Sequence, residues 1–374
     1  MLKDDRRRSG MDAVPSLAKR YAEQVSALPT SNERFSQAKR SYVTRRIDLD
    51  PAAMLLTSRV TPRTGDLVLA RIERLGNHRR LESPHGRRQR LNVGDEVLLC
   101  YGARYATDQF HAVVPDSLKR CHMVAAGGIA GLCVDRNANI KSPTKISPIG
   151  LVATAEGTPI NLADFALPSV PSPVAFPRTI AVVGTSMNAG KTTTAAALVH
   201  GLARAEKSVV VGKVTGTGAG GDRWTYVDAG AQEVLDFTDF GFASTYKLPG
   251  DVIEKLMRVM TNWMARTGPE VMVLEIADGL FFEETASLMQ SGIFGAIVDD
   301  VILAANDTAG AIAGVRWLAD RGMDPVAVSG CITSSPLAVR EAESVLNIPI
   351  LTADGLAGGA VAPNSDTAGL MATA

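Results

Sequence analysis

Thr179-Ile-Ala-Val-Val-Gly184-Thr185-Ser-Met-Asn188-Ala189-Gly190-Lys191-Thr192-Thr193-Thr194 carries an uncharged run into a glycine-bounded loop and then into a stretch of small residues. Residues 180–183 hold no charge, as a parallel strand buried on both faces requires, and 195–202 supplies good helix formers. A strand-to-helix turn of this kind points backbone N–H groups and the positive end of a helix at one spot, which suits phosphate oxygens. The candidate contacts are Gly184, Thr185, Asn188, Ala189, Gly190, Lys191, Thr192 and Thr193. Lys191 is placed to reach the terminal phosphates of a nucleotide and Thr192 to put its hydroxyl on Mg²⁺.

Downstream, apolar strands alternate with helical stretches. Strands are expected at 208–214, 271–277, 300–305 and 326–329, with a short sixth at 348–351, and helices at 193–205, 251–267, 308–321 and 338–346. That rhythm predicts an α/β fold, a mostly parallel sheet with flanking helices, and ligands at the C-terminal ends of the strands. Lys213 leaves the second strand there, followed by Thr215, Thr217 and Asp222 as possible substrate contacts within a glycine-rich, mobile loop. Glu275 ends an otherwise apolar strand, so with Asp278 and Thr192 it is a candidate Mg²⁺ ligand. Lys191, Lys213 and Glu275 form the expected catalytic set. Ser334 follows the fifth strand as another possible substrate contact. Cys331 has no nearby histidine and reads as a small packing residue rather than a nucleophile. Residues 228–239 read as polar turns.

The region before the loop has another texture. Residues 1–50 read as a basic helical or flexible arm, with one amphipathic stretch at 14–25 and little after Pro29 to bury. From 51 to 165, short apolar runs at 52–60, 67–72, 90–91 and 96–101 alternate with Gly-Asp turns, the pattern of a small β-rich, barrel-like domain supplying substrate selectivity or a subunit contact. Within it Arg104 and Tyr105 are candidate substrate residues, an anion-pairing fork beside a flat ring. The glycines of 125–131 read as tight packing and 141–144 as a turn. Four prolines in 166–178 mark a linker, and 179–374 is the expected nucleotide-binding domain.

Charge divides the chain, with 20 Lys/Arg against 10 Asp/Glu in the first ninety residues and 19 against 29 in the rest. A basic region attracts anions, but no paired Cys/His spacing or helix-turn-helix signal accompanies it, so nucleic acid is not the expected partner. Four cysteines are too few for a disulfide scaffold and five histidines show no ligand spacing, which argues for a reducing, cytoplasmic setting without zinc. No long apolar run suggests a membrane span.

The loop 184–192 has Thr185 where a glycine is usual in such loops. In opening with Gly-Thr and closing with Gly-Lys-Thr it resembles dethiobiotin synthetase and its ATP-dependent amidoligase kin. The resemblance spans about 175–355. Asn306-Asp-Thr-Ala-Gly310 looks like that family's segment after its fourth strand, and Ile348-Pro349-Ile350-Leu351 like its last short strand. It implies Mg-ATP-dependent activation of a small carboxylate or carbamate by phosphoryl transfer, followed by amide or ring formation, often in a homodimer. It also implies that Lys213 matches a lysine touching substrate and phosphate. Glu275-Ile-Ala-Asp278-Gly279 follows the family's Glu-Gly-Ala-Gly only in part. A small-molecule kinase and a nucleotide-dependent regulatory or metallocentre-assembly NTPase remain open alternatives. ATP is expected over GTP because Asn306-Asp307 is only an incomplete guanine reader.

Overall fold

The computed structural model describes residues 27–29 and 32–361. The helix expected at 14–25 lies outside them. Among the described residues twelve strands precede the one that enters the phosphate loop: β1 (Ala27–Pro29), β2 (Lys39–Arg40), β3 (Met54–Leu56), β4 (Leu67–Arg74), β5 (Arg80–Glu82), β6 (Arg88–Arg90), β7 (Glu96–Tyr101), β8 (Arg104–Tyr105), β9 (Phe110–Val113), β10 (Cys121–Ala125), β11 (Ile129–Arg136) and β12 (Thr144–Ala153). All but the β5–β6 hairpin join one sheet, ordered β1-β3-β12-β4-β7-β11-β9-β8, with β10 pairing both β11 and β12. The pairings β12–β4, β4–β7, β7–β11, β11–β10 and β10–β12 therefore form a closed circuit. Along β4, Leu67 and Leu69 enter one apolar cluster while Val68, Ala70 and Ile72 enter another. This is the period-2 pattern of a strand covered on both faces.

The second sheet is wholly parallel and contains β13 (Arg178–Gly184), β14 (Val209–Lys213), β15 (Glu233–Asp236), β16 (Val271–Glu275), β17 (Asp300–Ala304) and β18 (Ala327–Ser329), in the order β15-β14-β16-β13-β17-β18. Ile180 and Val182 of β13 face one core with Leu198, Val199 and Leu202, while Ala181 and Val183 face the other with Met257, Met260 and Leu318. Each large side chain buried this way contributes about 1.5–3 kcal/mol. The helices include α1 (Asn32–Gln37), between β1 and β2, then α2 (Lys191–Arg204), α3 (Gly221–Asp228), α4 (Gly250–Ala265), α5 (Glu283–Met289), α6 (Gly292–Ile297), α7 (Thr308–Ala319), α8 (Pro336–Glu343) and α9 (Ala353–Ala357). The chain as a whole is α/β, with parallel and antiparallel pairing and flanking helices. Among the described residues no helix is long and apolar enough to cross a membrane.

Several expectations are corrected. The segment after Pro29 buries a great deal: Tyr42, Val43 and Ile47 are in the core, because the Tyr42 hydroxyl and the Arg45 guanidinium beside them find partners in Asp236 and Asp239, nearly two hundred positions away. Residues 348–351 make only a single bridge, Val328 with Ile350, and the sixth strand is β15, within the stretch read as polar turns. The loop after Lys213 runs to Gly220, and α3 begins at Gly221. Strands β8 to β12 fill a stretch read mainly as loops. The longest, β12, was obscured by Pro148, which sits beside a register shift between Pro148 and Gly150, where a missing N–H is tolerated.

The two sheets meet through polar contacts. The Tyr42 hydroxyl donates to Asp236, and Arg45 pairs with Asp236 at 3.3 Å and Asp239 at 2.6 Å. Glu82 accepts from the Gly220 N–H at 2.7 Å. Gly127 packs so closely that a methyl group there would lie 2.0 Å from the Gly218 carbonyl oxygen, which is why glycine is required.

Candidate nucleotide site

The loop between β13 and α2 lies at the C-terminal edge of the parallel sheet, with β16 and β17 on either side of β13. Gly190 adopts φ +95°, a left-handed conformation that glycine allows, and a methyl group there would approach Gly330 to 3.0 Å. Gly184 leaves room for the Lys191 stem, which a methyl group would meet at 2.8 Å.

Lys191 is buried, and its ammonium turns back into the loop to donate to the carbonyl oxygens of Ser186 at 2.8 Å, Met187 at 3.2 Å and Asp278 at 2.7 Å. Burial pulls its pKa down to about 8 against the opposing field of Glu275 and Asp278. Asp278, at φ +66°, is the reciprocal case: burial pushes its carboxyl up to about 6, with Lys191 and Lys213 opposing. A non-glycine residue held at positive φ stores strain, a recurrent feature of functional loops.

Beside Lys191, the Thr192 hydroxyl donates to Glu275 Oε2 at 3.2 Å and lies 3.3 Å from Asp222 Oδ1. Lys213 pairs with Asp222 and, at 3.2 Å, with Glu275 Oε1. Burial disfavours its charge, but these two carboxylates outweigh it and hold the ammonium above its usual range. The buried Tyr226 hydroxyl completes the cluster by donating to Glu275 Oε2, and burial followed by the Glu275 charge raises its pKa well above 10.

Thus Lys191, Thr192, Lys213, Asp222 and Glu275 converge. Asp222 sits with Thr192 and Glu275, whereas the Thr192 hydroxyl donates to neither oxygen of the Asp278 carboxylate. The other candidates are engaged elsewhere. Thr215 donates to the Ala277 carbonyl at 3.4 Å, the backbone of Thr217 pairs with that of Ser244 in an isolated bridge, and Ser334 caps its own turn by donating to the Cys331 carbonyl at 2.7 Å. Thr193 is exposed, Ala189 is buried, and the Thr185 N–H donates to the Ala304 carbonyl at 2.9 Å. Asn188 donates to Asp108 of the first sheet at 3.2 Å. Arg104 is buried with its Nη1 on the Val124 carbonyl, while Tyr105 is partly exposed. Asn306 donates to Ser186 at 2.6 Å and Asp307 caps α7, so this pair serves the loop and the helix.

Tyr226 escaped the sequence reading. Its signal is helical spacing, four residues after Asp222, so that both side chains share a face of α3. Among the described residues no group of three or more His, Cys, Asp or Glu gathers as a metal site. Two carboxylates beside a hydroxyl remain a suitable donor set for Mg²⁺, which usually takes one or two carboxylates together with substrate phosphates.

No family model matches the chain, and no curated protein does. Among solved structures it is similar to the signal recognition particle receptor FtsY from Elizabethkingia anophelis, at 18% identity and a TM-score of 0.34, over 46% of this chain and 56% of that one. It is also similar to chloroplast FtsY from Physcomitrella patens, at 15% identity and a TM-score of 0.35, over 50% of this chain and 62% of that one. For the cell division protein FtsY from Thermotoga maritima the values are 14% and 0.32, over 50% and 64%. The chain thus spans less than two thirds of each of these proteins, and likeness at this level carries no conclusion about activity.

Proposed function

We propose that the chain is a P-loop enzyme that binds Mg-ATP at 184–192 and uses its terminal phosphoryl group. The observation that carries this reading is the convergence of Lys191, Thr192, Lys213, Asp222 and Glu275 at the C-terminal edge of the parallel sheet. The residues fit the ligand: glycine at 184 and 190 keeps the loop open to close backbone approach, and the N-terminus of α2 faces it. Thr192, Glu275 and Asp222 would hold the metal. When bound, Mg-ATP supplies an electrophilic phosphorus and a divalent charge that offsets the phosphate oxygens. Lys191 would exchange its three carbonyl partners for phosphate oxygens, and Lys213 keeps its charge through Asp222 and Glu275.

Calorimetric titration of wild type and Lys191→Ala with ATP and with GTP, each with Mg²⁺, tests the reading. Saturable ATP binding that Lys191→Ala loses supports it, and equal, negligible affinity in both proteins refutes it.

The finer proposal is activation of a small carboxylate or carbamate followed by amide or ring formation, with residues 51–165 selecting the acceptor. Its support is the loop sequence and the reach of Asp108 to Asn188 within one chain. ADP and phosphate released only with both acid and amine would favour it, and a stable phosphorylated product would favour a kinase. A regulatory NTPase draws support from Asp222, which ties α3 at once to Thr192 and Lys213, so that ligation at Thr192 would shift a helix packed on Glu82 and Gly86. Hydrolysis that appears only with a protein partner would favour that reading. A homo-oligomer belongs to the same proposal and is read by light scattering.

A further inference from the structure

The β5–β6 hairpin and the turn after β4 line a cavity of about 230 Å³, walled by Leu75, Arg79, Arg80, Arg90 and Leu91. The two leucines belong to the apolar core of the first sheet, and the rest of the wall is three exposed arginines. No carboxylate lines the cavity, and among the described residues no ion pair joins Arg79, Arg80 or Arg90 to an acid. The acids of neighbouring strands and turns are committed elsewhere. Glu73 pairs with Arg120 at 2.6 Å, Glu96 with Arg34 at 2.8 Å and Arg71 at 2.9 Å, and Asp95 with Lys39. Glu82 accepts from the Gly220 N–H at 2.7 Å and meets Arg88 only at 3.9 Å.

The strand register makes this arrangement costly. Arg80 stands directly opposite Arg90 in the β5–β6 ladder, and like charges in that position oppose pairing. Lys39, which donates to the Arg90 carbonyl at 2.8 Å, brings a further cation. The hairpin is held in spite of this by contacts away from the arginines. Leu81 is fully buried, Glu82 is tied to Gly220, and Gly86 lies so close to α3 that a methyl group there would come within 2.3 Å of the Trp224 indole nitrogen. The scaffold therefore gathers three cations around one cavity without a counter-charge, and an anion entering it finds its partners already placed.

The lining also selects the anion. Guanidinium forks match phosphate oxygens two at a time, and three of them offer more donors than the two oxygens of one carboxylate can use. No aromatic ring lines the cavity, so it lacks the platform on which the bases of a single strand stack. It also shares no lining residue with the cluster of Lys191, Thr192, Lys213, Asp222 and Glu275. We propose that this cavity is a second anion site, apart from the phosphate loop, for a small molecule bearing a phosphate ester or a diphosphate. Arg79, Arg80 and Arg90 take the phosphate oxygens, and Leu75 and Leu91 form the apolar floor beneath them.

The test is calorimetric titration of the full chain with inorganic pyrophosphate. Lys191→Ala removes the cation of the phosphate loop and leaves the cavity as the expected binder, so this variant should take up one pyrophosphate per chain. Adding Arg80→Gln and Arg90→Gln should weaken that binding at least about thirtyfold. In the chain with Lys191 intact, the same two changes should remove one of two binding events, a comparison that stands even if Lys191→Ala does not fold. Both arginines are exposed and their removal relieves a like-charge pair, so thermal unfolding of the ligand-free variants should come no earlier than in their parents, which separates lost binding from lost folding. No pyrophosphate binding by a folded Lys191→Ala chain, or equal binding with and without the two arginines, overturns the assignment. Binding of a single-stranded oligouridine that depends on the same arginines and that pyrophosphate does not displace also overturns it, and makes the hairpin part of a nucleic-acid surface. A single pyrophosphate bound by wild type, kept in Lys191→Ala and lost with the arginines, upholds the cavity and counts against the nucleotide reading above.

Discussion

Lys191 should make the empty protein more stable as the solution becomes alkaline, the reverse of the usual behaviour of a paired lysine. In the fold its pKa is about 8, pulled down chiefly by burial, against an ordinary 10.5 in the unfolded chain. Below pH 8 both states hold the proton, and the fold bears the cost of keeping an ammonium in a dry loop. Between pH 8 and 10.5 the fold releases the proton while the unfolded chain keeps it, so stability rises with pH. Each unit is worth about 1.4 kcal/mol, so the full gain is about 3 kcal/mol, most of it below pH 10. Other groups titrate in this range, and Lys191→Met isolates the contribution because its side chain is of similar length and uncharged. Urea unfolding of both proteins without nucleotide, at steps from pH 7 to 10, should show the wild type gaining on the variant by about 2–3 kcal/mol. A constant difference across that range would refute the argument that the loop disfavours the charged lysine.

The same shift implies that ATP binding takes up a proton near pH 8.5, with affinity falling as pH rises through 8; calorimetry in buffers of different ionisation enthalpy reads the uptake. Tyr226→Phe removes a buried donor from Glu275 and should cost about 1–3 kcal/mol in urea unfolding. Gly190→Ala forces an alanine to φ +95° with its methyl group 3.0 Å from Gly330, so it should lower stability by about 1–2 kcal/mol and abolish ATP binding in titration. Arg45→Met leaves Asp236 buried without its cation and Asp239 with only the longer pairs to Arg223 at 3.5 Å and Arg46 at 3.9 Å, and should cost about 3–5 kcal/mol, partly recovered in Arg45→Met with Asp236→Asn, as read by thermal unfolding.

The sequence alone determined the strand, loop and helix around 179–204, because each depends on local chemistry: an uncharged apolar run, glycines where the backbone turns, and small residues that favour a helix. It also marked the ends of β14 and β16, where Lys213 and Glu275 each follow apolar residues that have to stay inside. Tertiary structure decided what lies around them. Asp222 reaches Thr192 only because α3 follows the turn after Lys213, and Tyr226 meets Glu275 only because both face the same core. Tyr42 and Arg45 looked like part of a polar arm because their partners, Asp236 and Asp239, come nearly two hundred residues later. β12 was hidden by Pro148, whose missing N–H is harmless only beside a register shift that no local pattern announces. Side-chain period and backbone preference are written into neighbouring residues, but a buried charge acquires its partner only when distant segments have packed.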